Sequence, residues 1–429
     1  MPQQSPNVRP FRTLPTLILG LSALILATGC TSEEVGGGEW RHEVTMEEGV
    51  RTVRTLEGSV WGTGARLREE ASIGVLDGPE EQMLGSVASL WAHEGRIYVL
   101  DRQIPQLRVY DMEGTFLFDV GREGEGPGEY KRPTAVAVHP ETGRIYLRDG
   151  NRGRINIYTP DGEPLDQWTI RGGVTTSRQM VMTADGDLWT PVWVSEGGGI
   201  ESWRSGMTRF SSEGVTGDTL MAPEYDFEEW QIRGQSENSV AINSVPFAPQ
   251  SHWTMSPTRA MIGGVSDDYR VEVRRQDGTM TVIAKEGDRV PVHPDEARWW
   301  EARTTASMRS MFEGWAWNGP EVPDTKPAFE QLTTDRTGRI WVWRPGPGRR
   351  LEGCDEDAET LADFRRAPCW EETSSLDVFE ESGRHLGRVA LPKGVQRYPQ
   401  PYIEGDLFLA SVEDASGLIR VVRYRLLRP

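Results

Sequence analysis

Hydrophobic and polar positions alternate in short runs along most of the chain, and glycine-containing turns bound the runs. Ala135-Val136-Ala137-Val138 is followed by a turn and by Arg144 to Leu147; Arg154 to Tyr158 then turns at Asp161-Gly162 into Leu165 to Ile170. Period-two alternation over a few residues is strand patterning. An Asp-Gly pair between two such runs marks a hairpin, because both turn residues tolerate positive φ. The pattern also repeats. Gly95-Arg96-Ile97-Tyr98-Val99-Leu100-Asp101 returns 48 positions later as Gly143-Arg144-Ile145-Tyr146-Leu147-Arg148-Asp149, and Gly114 returns as Gly162 at the same offset. Looser copies begin at Gly186-Asp187-Leu188-Trp189, Gly338-Arg339-Ile340-Trp341 and Gly405-Asp406-Leu407-Phe408, with a degenerate one around Arg259 to Gly278. Four-strand units recurring every ~40–50 residues predict propeller blades; a β-sandwich does not repeat in this way.

Six units fit between residues 50 and 429, and the last supplies only three runs before the chain ends. Arg66 to Ile73 is the candidate for the missing outer strand, since the segment after it, Gly78-Pro79-Glu80-Glu81, matches Gly126-Pro127-Gly128-Glu129 after the first blade. Borrowing that strand closes the ring and removes an open edge. The expected fold is an all-β, six-bladed β-propeller closed by an N-terminal strand, with helical and loop insertions on one face.

The placement of the insertions follows from the meander. Turns between first and second strands, and between third and fourth, lie on one face; second-to-third loops and blade crossings lie on the other. Turns of the first group are short, such as His93-Glu94-Gly95, Asp185-Gly186 and Ser382-Gly383. Long segments belong to the second group: Pro191 to Gly206, Met221 to His252, Glu286 to Lys326 and Pro345 to Ser374. Loops of this length carry function more often than tight turns do, so this face is the expected working surface. Pro294, followed by Asp295 and Glu296, suits a helix start, with Ala297, Trp300, Thr304, Met308 and Met311 on the face expected to pack against the propeller and Gly314 ending the run.

Residues 1–29 read as a signal peptide. Arg9 and Arg12 precede the apolar stretch Leu14 to Ala27, and Ala27-Thr28-Gly29-Cys30 resembles a bacterial lipobox, which makes Cys30 the expected lipidation site. Residues 30–49 are the expected tether and 50–429 the propeller. Cys354 and Cys369, isolated within one insertion of an exported chain, are the expected disulfide. With 65 acidic against 47 basic residues, a net charge of −18 argues against nucleic acid or anionic lipid as a partner. Membrane association is expected through the anchor alone.

At the level of these repeats the chain resembles the six-bladed propellers built on NHL-type repeats, in particular bacterial six-bladed propeller lipoproteins. The residues that carry the likeness are Gly143-Arg144-Ile145-Tyr146, Asp149-Gly150-Asn151-Arg152-Gly153-Arg154-Ile155 and Gly121-Arg122-Glu123-Gly124-Glu125-Gly126-Pro127-Gly128-Glu129-Tyr130. The resemblance implies the architecture and leaves the activity open. The lipobox implies an envelope address, and Thr31 rather than Asp after Cys30 points to the outer-membrane or periplasmic side.

No His-Glu-x-x-His, P-loop or Gly-x-Ser-x-Gly element is present, and no cofactor is expected. Two functions remain. One is a binding or scaffolding propeller for an envelope protein, peptide or glycan, with Arg122, Glu125, Arg148, Arg344 and Trp343 as candidate ligand-binding residues near strand ends on the long-loop face. The other is a metal-dependent hydrolase or lyase at the central channel, where Asp101, Asp149 and Asn151 are candidate ligands. Asp101 and Asp149 also match the repeat itself, which favours a structural role for them. His93 and His139 occupy equivalent turns on the short-turn face and are expected to face solvent.

Overall fold

The computed structural model describes residues 39–170, 179–195, 197, 203–287, 289–354, 361 and 368–429. Six antiparallel four-stranded meanders follow one another. Blade one is Val87–His93, Arg96–Asp101, Gln106–Asp111 and Phe116–Val120. Blade two is Pro133–Val138, Ile145–Asp149, Arg154–Tyr158 and Pro164–Thr169. Blade three runs from Val181–Met182 to Thr216–Met221, blade four from Ser251–Met255 to Met280–Lys285, and blade five from Gln331–Thr334 to His385–Ala390. Blade six is Tyr402–Glu404, Leu407–Glu413 and Ile419–Leu427, completed by Arg66–Ile73. That last strand pairs with Arg66 opposite Leu427 and Ile73 opposite Val421, so the ring closes as the repeat count requires.

The second and third strands of blade two are buried throughout, because apolar layers between neighbouring blades cover both faces of each sheet. Three such layers hold most of the core: one spanning blades one to three, one between blades five and six, and one between blades four and five.

Three expectations need correction. The tether is shorter than 30–49: Arg41–Glu47 forms a hairpin with Val50–Glu57 through Glu48 and Gly49, both at positive φ. Val50–Thr55 then pairs in parallel with Met280–Lys285 and extends blade four to six strands. The described part of Pro191 to Gly206 is mostly strand: Leu188–Ser195 and Trp203–Phe210 pair along their length. His139 is buried, its Nδ1 accepting hydrogen bonds from the main-chain N–H of Glu141 and Thr142, while Gly186 of the next blade packs over the ring. No helix among the described residues is long and apolar enough to cross a membrane.

Candidate binding face

In a four-stranded meander the second-to-third loop leaves the sheet at the same end as the crossing to the next blade. The segments after blades three and four and the excursion inside blade five therefore emerge on one face. They are folded. Gln231–Gln235 and Val240–Ser244 form a hairpin, Pro294–Met311 is the helix, and Gly348–Arg350 pairs with Trp370–Glu372 above the Cys354–Cys369 disulfide. Ile232, Val245, Met308, Phe312 and Trp315 bind the hairpin to the helix, and Trp299 packs on Cys369 and Trp370.

The helix begins at Pro294 as expected, with His293 as its N-cap, but its buried face differs from the expected stripe. Glu296, Trp299, Arg303, Ser307 and Met308 are buried, whereas Met311 is exposed. Apolar counting misplaces the face because two of its buried positions are charged. Glu296 accepts from the Lys326 ammonium at 2.9 Å, and the Arg303 guanidinium lies over the Trp299 ring at 5.2 Å. Gly348 lies against Glu296: a Cβ there would meet the carboxylate at 2.3 Å.

Lys326 is fully buried and joins this helix to the excursion, since its ammonium also donates to Glu372 at 2.6 Å and lies 5.0 Å from the Phe247 ring centre. Beside it, Glu330 pairs with Arg397 at 2.8 Å. Burial pushes the Glu330 carboxyl up to about 7, against the pull of Arg397 and with added repulsion from Glu372. The adjacent Gln331 amide and the Trp343 indole N–H are buried with no hydrogen-bond partner among the described residues.

A second charged cluster lies between blades four and five. Asp377 has no solvent exposure and accepts from Lys285 at 2.9 Å, Arg388 at 2.8 Å and the Tyr269 hydroxyl at 3.1 Å, with Arg344 at 3.7 Å. Burial would raise its pKa, but His385, Lys285 and Arg388 hold it well below the ordinary range. The Lys285 pKa is lowered as well, to about 8, through burial despite Asp377, with Arg388 pushing further in the same direction. One carboxylate faces several cations, so the surplus falls on the lysine.

These positions settle where the candidate ligand-binding residues stand. Arg122 is exposed on the long-loop face and pairs with Glu129 at 2.7 Å. Glu125 is exposed and pairs with Lys131 and with Arg152. The loop satisfies itself, with the Glu129 carboxylate tucked where a Cβ on Gly124 would clash. Arg148, Trp343 and Arg344 are not surface residues. Arg148 is fully buried, and burial lowers its pKa to about 10. Trp343 lies in the core between blades five and six, and Arg344 sits over Tyr269, 5.2 Å from its ring, within the Asp377 cluster. Strand ends look exposed in sequence, but here neighbouring blades and insertions cover them. Lys326, Glu330 and Asp377 were missed. A composition signal was available: the chain has four lysines among its 47 basic residues, and Lys285 and Lys326 are two of them.

The channel shows the opposite organisation. Leu90, Trp91, Met180, Met255 and Tyr402 line a cavity of about 80 Å³, within a few residues of the short turns. Arg336 reaches across this end, donating to the Met182 carbonyl and lying 5.0 Å from the Trp91 ring centre. Asp101 and Asp149 do not point to a metal. Asp101 accepts from the main-chain N–H groups of Gly85, Ser86, Gln103 and Ile104, and Asp149 from those of Lys131 and Arg132. Among the described residues no group of three or more His, Cys, Asp or Glu side chains is arranged to hold a metal ion.

Residues 75–176 match the family DUF5128, described as a 6-bladed beta-propeller. The chain is a six-bladed β-propeller. It is similar to a solved member of the DUF4221 family from Bacteroides vulgatus, at 9% identity and a TM-score of 0.50, over 85% of this chain and 99% of that one. It is also similar to a putative exported protein from Bacteroides fragilis, at 11% identity and a TM-score of 0.46, over 88% and 100% of the two chains. The comparison with curated proteins gave no match. At 9% identity the DUF4221 structure speaks to the fold alone.

Proposed function

We propose that this propeller is lipid-anchored at the bacterial cell envelope and binds or scaffolds a protein, peptide or glycan through its long-loop face. The observation that carries the reading is the inequality of the two faces. One end of the ring has tight turns. The other bears a hairpin, a helix and a disulfide-pinned excursion, joined by buried ion pairs from distant parts of the chain. Ring closure does not need that layer, whereas presenting a shaped surface does. The paired cysteines suit an oxidising compartment. The anchor rests on Cys30, which lies outside the described residues, and on the NHL-type lipoprotein resemblance.

Fractionation of cells expressing the full chain tests the address: Cys30→Ser should leave the membrane fraction or stall as precursor. Unchanged sedimentation with an unchanged mature mass removes the anchor. Capture from crosslinked envelope extracts tests the face. Replacing Arg122 and Glu125 with Ala should weaken capture with a stability change within about 0.5 kcal/mol. Replacing Glu94 on the short-turn face should not; the reverse pattern assigns the wrong face.

A further inference from the structure

The segment leading into the hairpin, with Pro320, borders a solvent-open cavity of about 680 Å³ lined by Glu228, Glu229, Trp230, Gln231, Arg233 and Pro320. Its size is in the range of small-ligand sites. Its frame is fixed. Asn318 clamps the main chain of Arg233, accepting from its N–H at 3.1 Å and donating to its carbonyl at 2.7 Å, and the Trp315 indole donates to the same carbonyl at 2.7 Å. The Trp317 indole holds the opposite wall by donating to the Pro320 carbonyl at 2.9 Å. Gly319 lets the two walls approach, since a Cβ there would meet the Gln231 carbonyl at 2.6 Å. Trp230 packs in part on the hairpin–helix core and presents the rest to the cavity.

The polar groups in this frame are of both kinds. Glu229 accepts from Gln231 at 2.9 Å and from Ser251 at 3.3 Å. Glu228 and Arg233 are both exposed. The carboxylate pair repels an acidic ligand, and with a guanidinium also on the lining a ligand that meets every group must both donate and accept hydrogen bonds. An uncharged ligand rich in hydroxyls satisfies all of them, because hydroxyls donate to Glu228 and Glu229 and accept from Arg233 and Gln231. The apolar faces of Trp230 and Pro320 suit the C–H faces of a sugar ring. We propose that this cavity is a carbohydrate subsite for an uncharged oligosaccharide. The proposal rests on the binding reading above and names its ligand class.

The test uses the full-length protein on an array of short neutral oligomers of glucose, mannose and N-acetylglucosamine, beside an array of basic and acidic tetrapeptides, with affinities of retained ligands measured by calorimetry. A neutral oligosaccharide should be retained, and Trp230→Ala should weaken it roughly tenfold or more, the scale of losing an aromatic anchor. Arg233→Ala, an exposed change that leaves the hairpin–helix core intact, should weaken it several-fold, and Glu94→Ala on the short-turn face should leave it unchanged. Retention of charged peptides alone, weakened by the same variants, overturns the ligand class and leaves the binding face standing. Retention of sugars equally by Trp230→Ala and Arg233→Ala overturns the subsite. Retention of neither ligand kind overturns the proposal, and capture from envelope extracts then decides separately on the binding reading.

Discussion

Blades two and five fold the same four-strand meander, yet they settle their buried polar groups by different means. In blade two, Asp149 caps the N–H groups of Lys131 and Arg132, which enter the blade's own inner strand, and Asp101 does the same in blade one. The partner is local, comes with the repeat, and needs nothing outside the blade. In blade five, Asp377 is held by Lys285 from the neighbouring blade and by Arg388, and the nearby Glu330 pairs with Arg397 at the approach to blade six. There the partners come from separate parts of the chain, and the inserted helix and excursion meet on Lys326. The difference shows how a ring of equivalent blades acquires one specialised sector. The repeat secures closure, and non-local charges fix the insertions on top of it.

The largest expected effect separates these two modes. Asp377→Asn leaves the largely buried Lys285 and Arg344 without their counter-charge and should cost about 3–5 kcal/mol in denaturant unfolding. Asp149→Asn, which keeps an oxygen acceptor for only one of the two main-chain N–H groups, should cost about 1–3 kcal/mol. Equal losses would mean that local and non-local satisfaction do not differ. Next is the disulfide. Replacing Cys354 and Cys369 with Ser removes the closure of a short loop, worth about 3 kcal/mol, and loosens the packing of Trp299 on Trp370. Amide exchange in Pro294–Met311 should accelerate while that of blade two stays unchanged; acceleration in both would contradict an insertion layer resting on an independent ring.

The ring was legible because the offset of 48 carries strand pattern, turn glycines and capping aspartates together, and the missing strand of blade six identified its own replacement at Arg66–Ile73. The second N-terminal addition was not legible. Val50–Thr55 lies parallel to Met280–Lys285, and no local signal in either segment announces the other. The insertion layer was visible as length and as a helix start at Pro294, but its packing was not. Glu296 and Arg303 read as solvent-facing until Lys326 and Trp299 are seen against them. Arg148, Arg344 and Trp343 failed as surface candidates for the same reason: burial at a strand end depends on what the next blade brings.

The last of these effects is a pH dependence. Glu330 has its folded-state value raised from 4.5 to about 7, so the folded protein holds a proton that the unfolded chain releases across that window. The stability this contributes is fully present below the ordinary glutamate value and is lost as the pH rises through about 7. Glu330→Gln should therefore flatten the fall in Tm between about pH 5.5 and about pH 8, with blade-two variants keeping the wild-type slope. An unchanged slope in Glu330→Gln would place the titration elsewhere.

The central claim is that recognition belongs to the face carrying the insertions, and site-specific photocrosslinking in intact cells tests it most directly. A photoreactive residue is placed at Arg122 or Arg233 on that face, and at Glu94 or Ser382 on the short-turn face, all four positions being exposed. The account predicts discrete crosslinked adducts from positions 122 and 233 and none from 94 and 382. Adducts from 94 and 382 with none from 122 and 233 would contradict it.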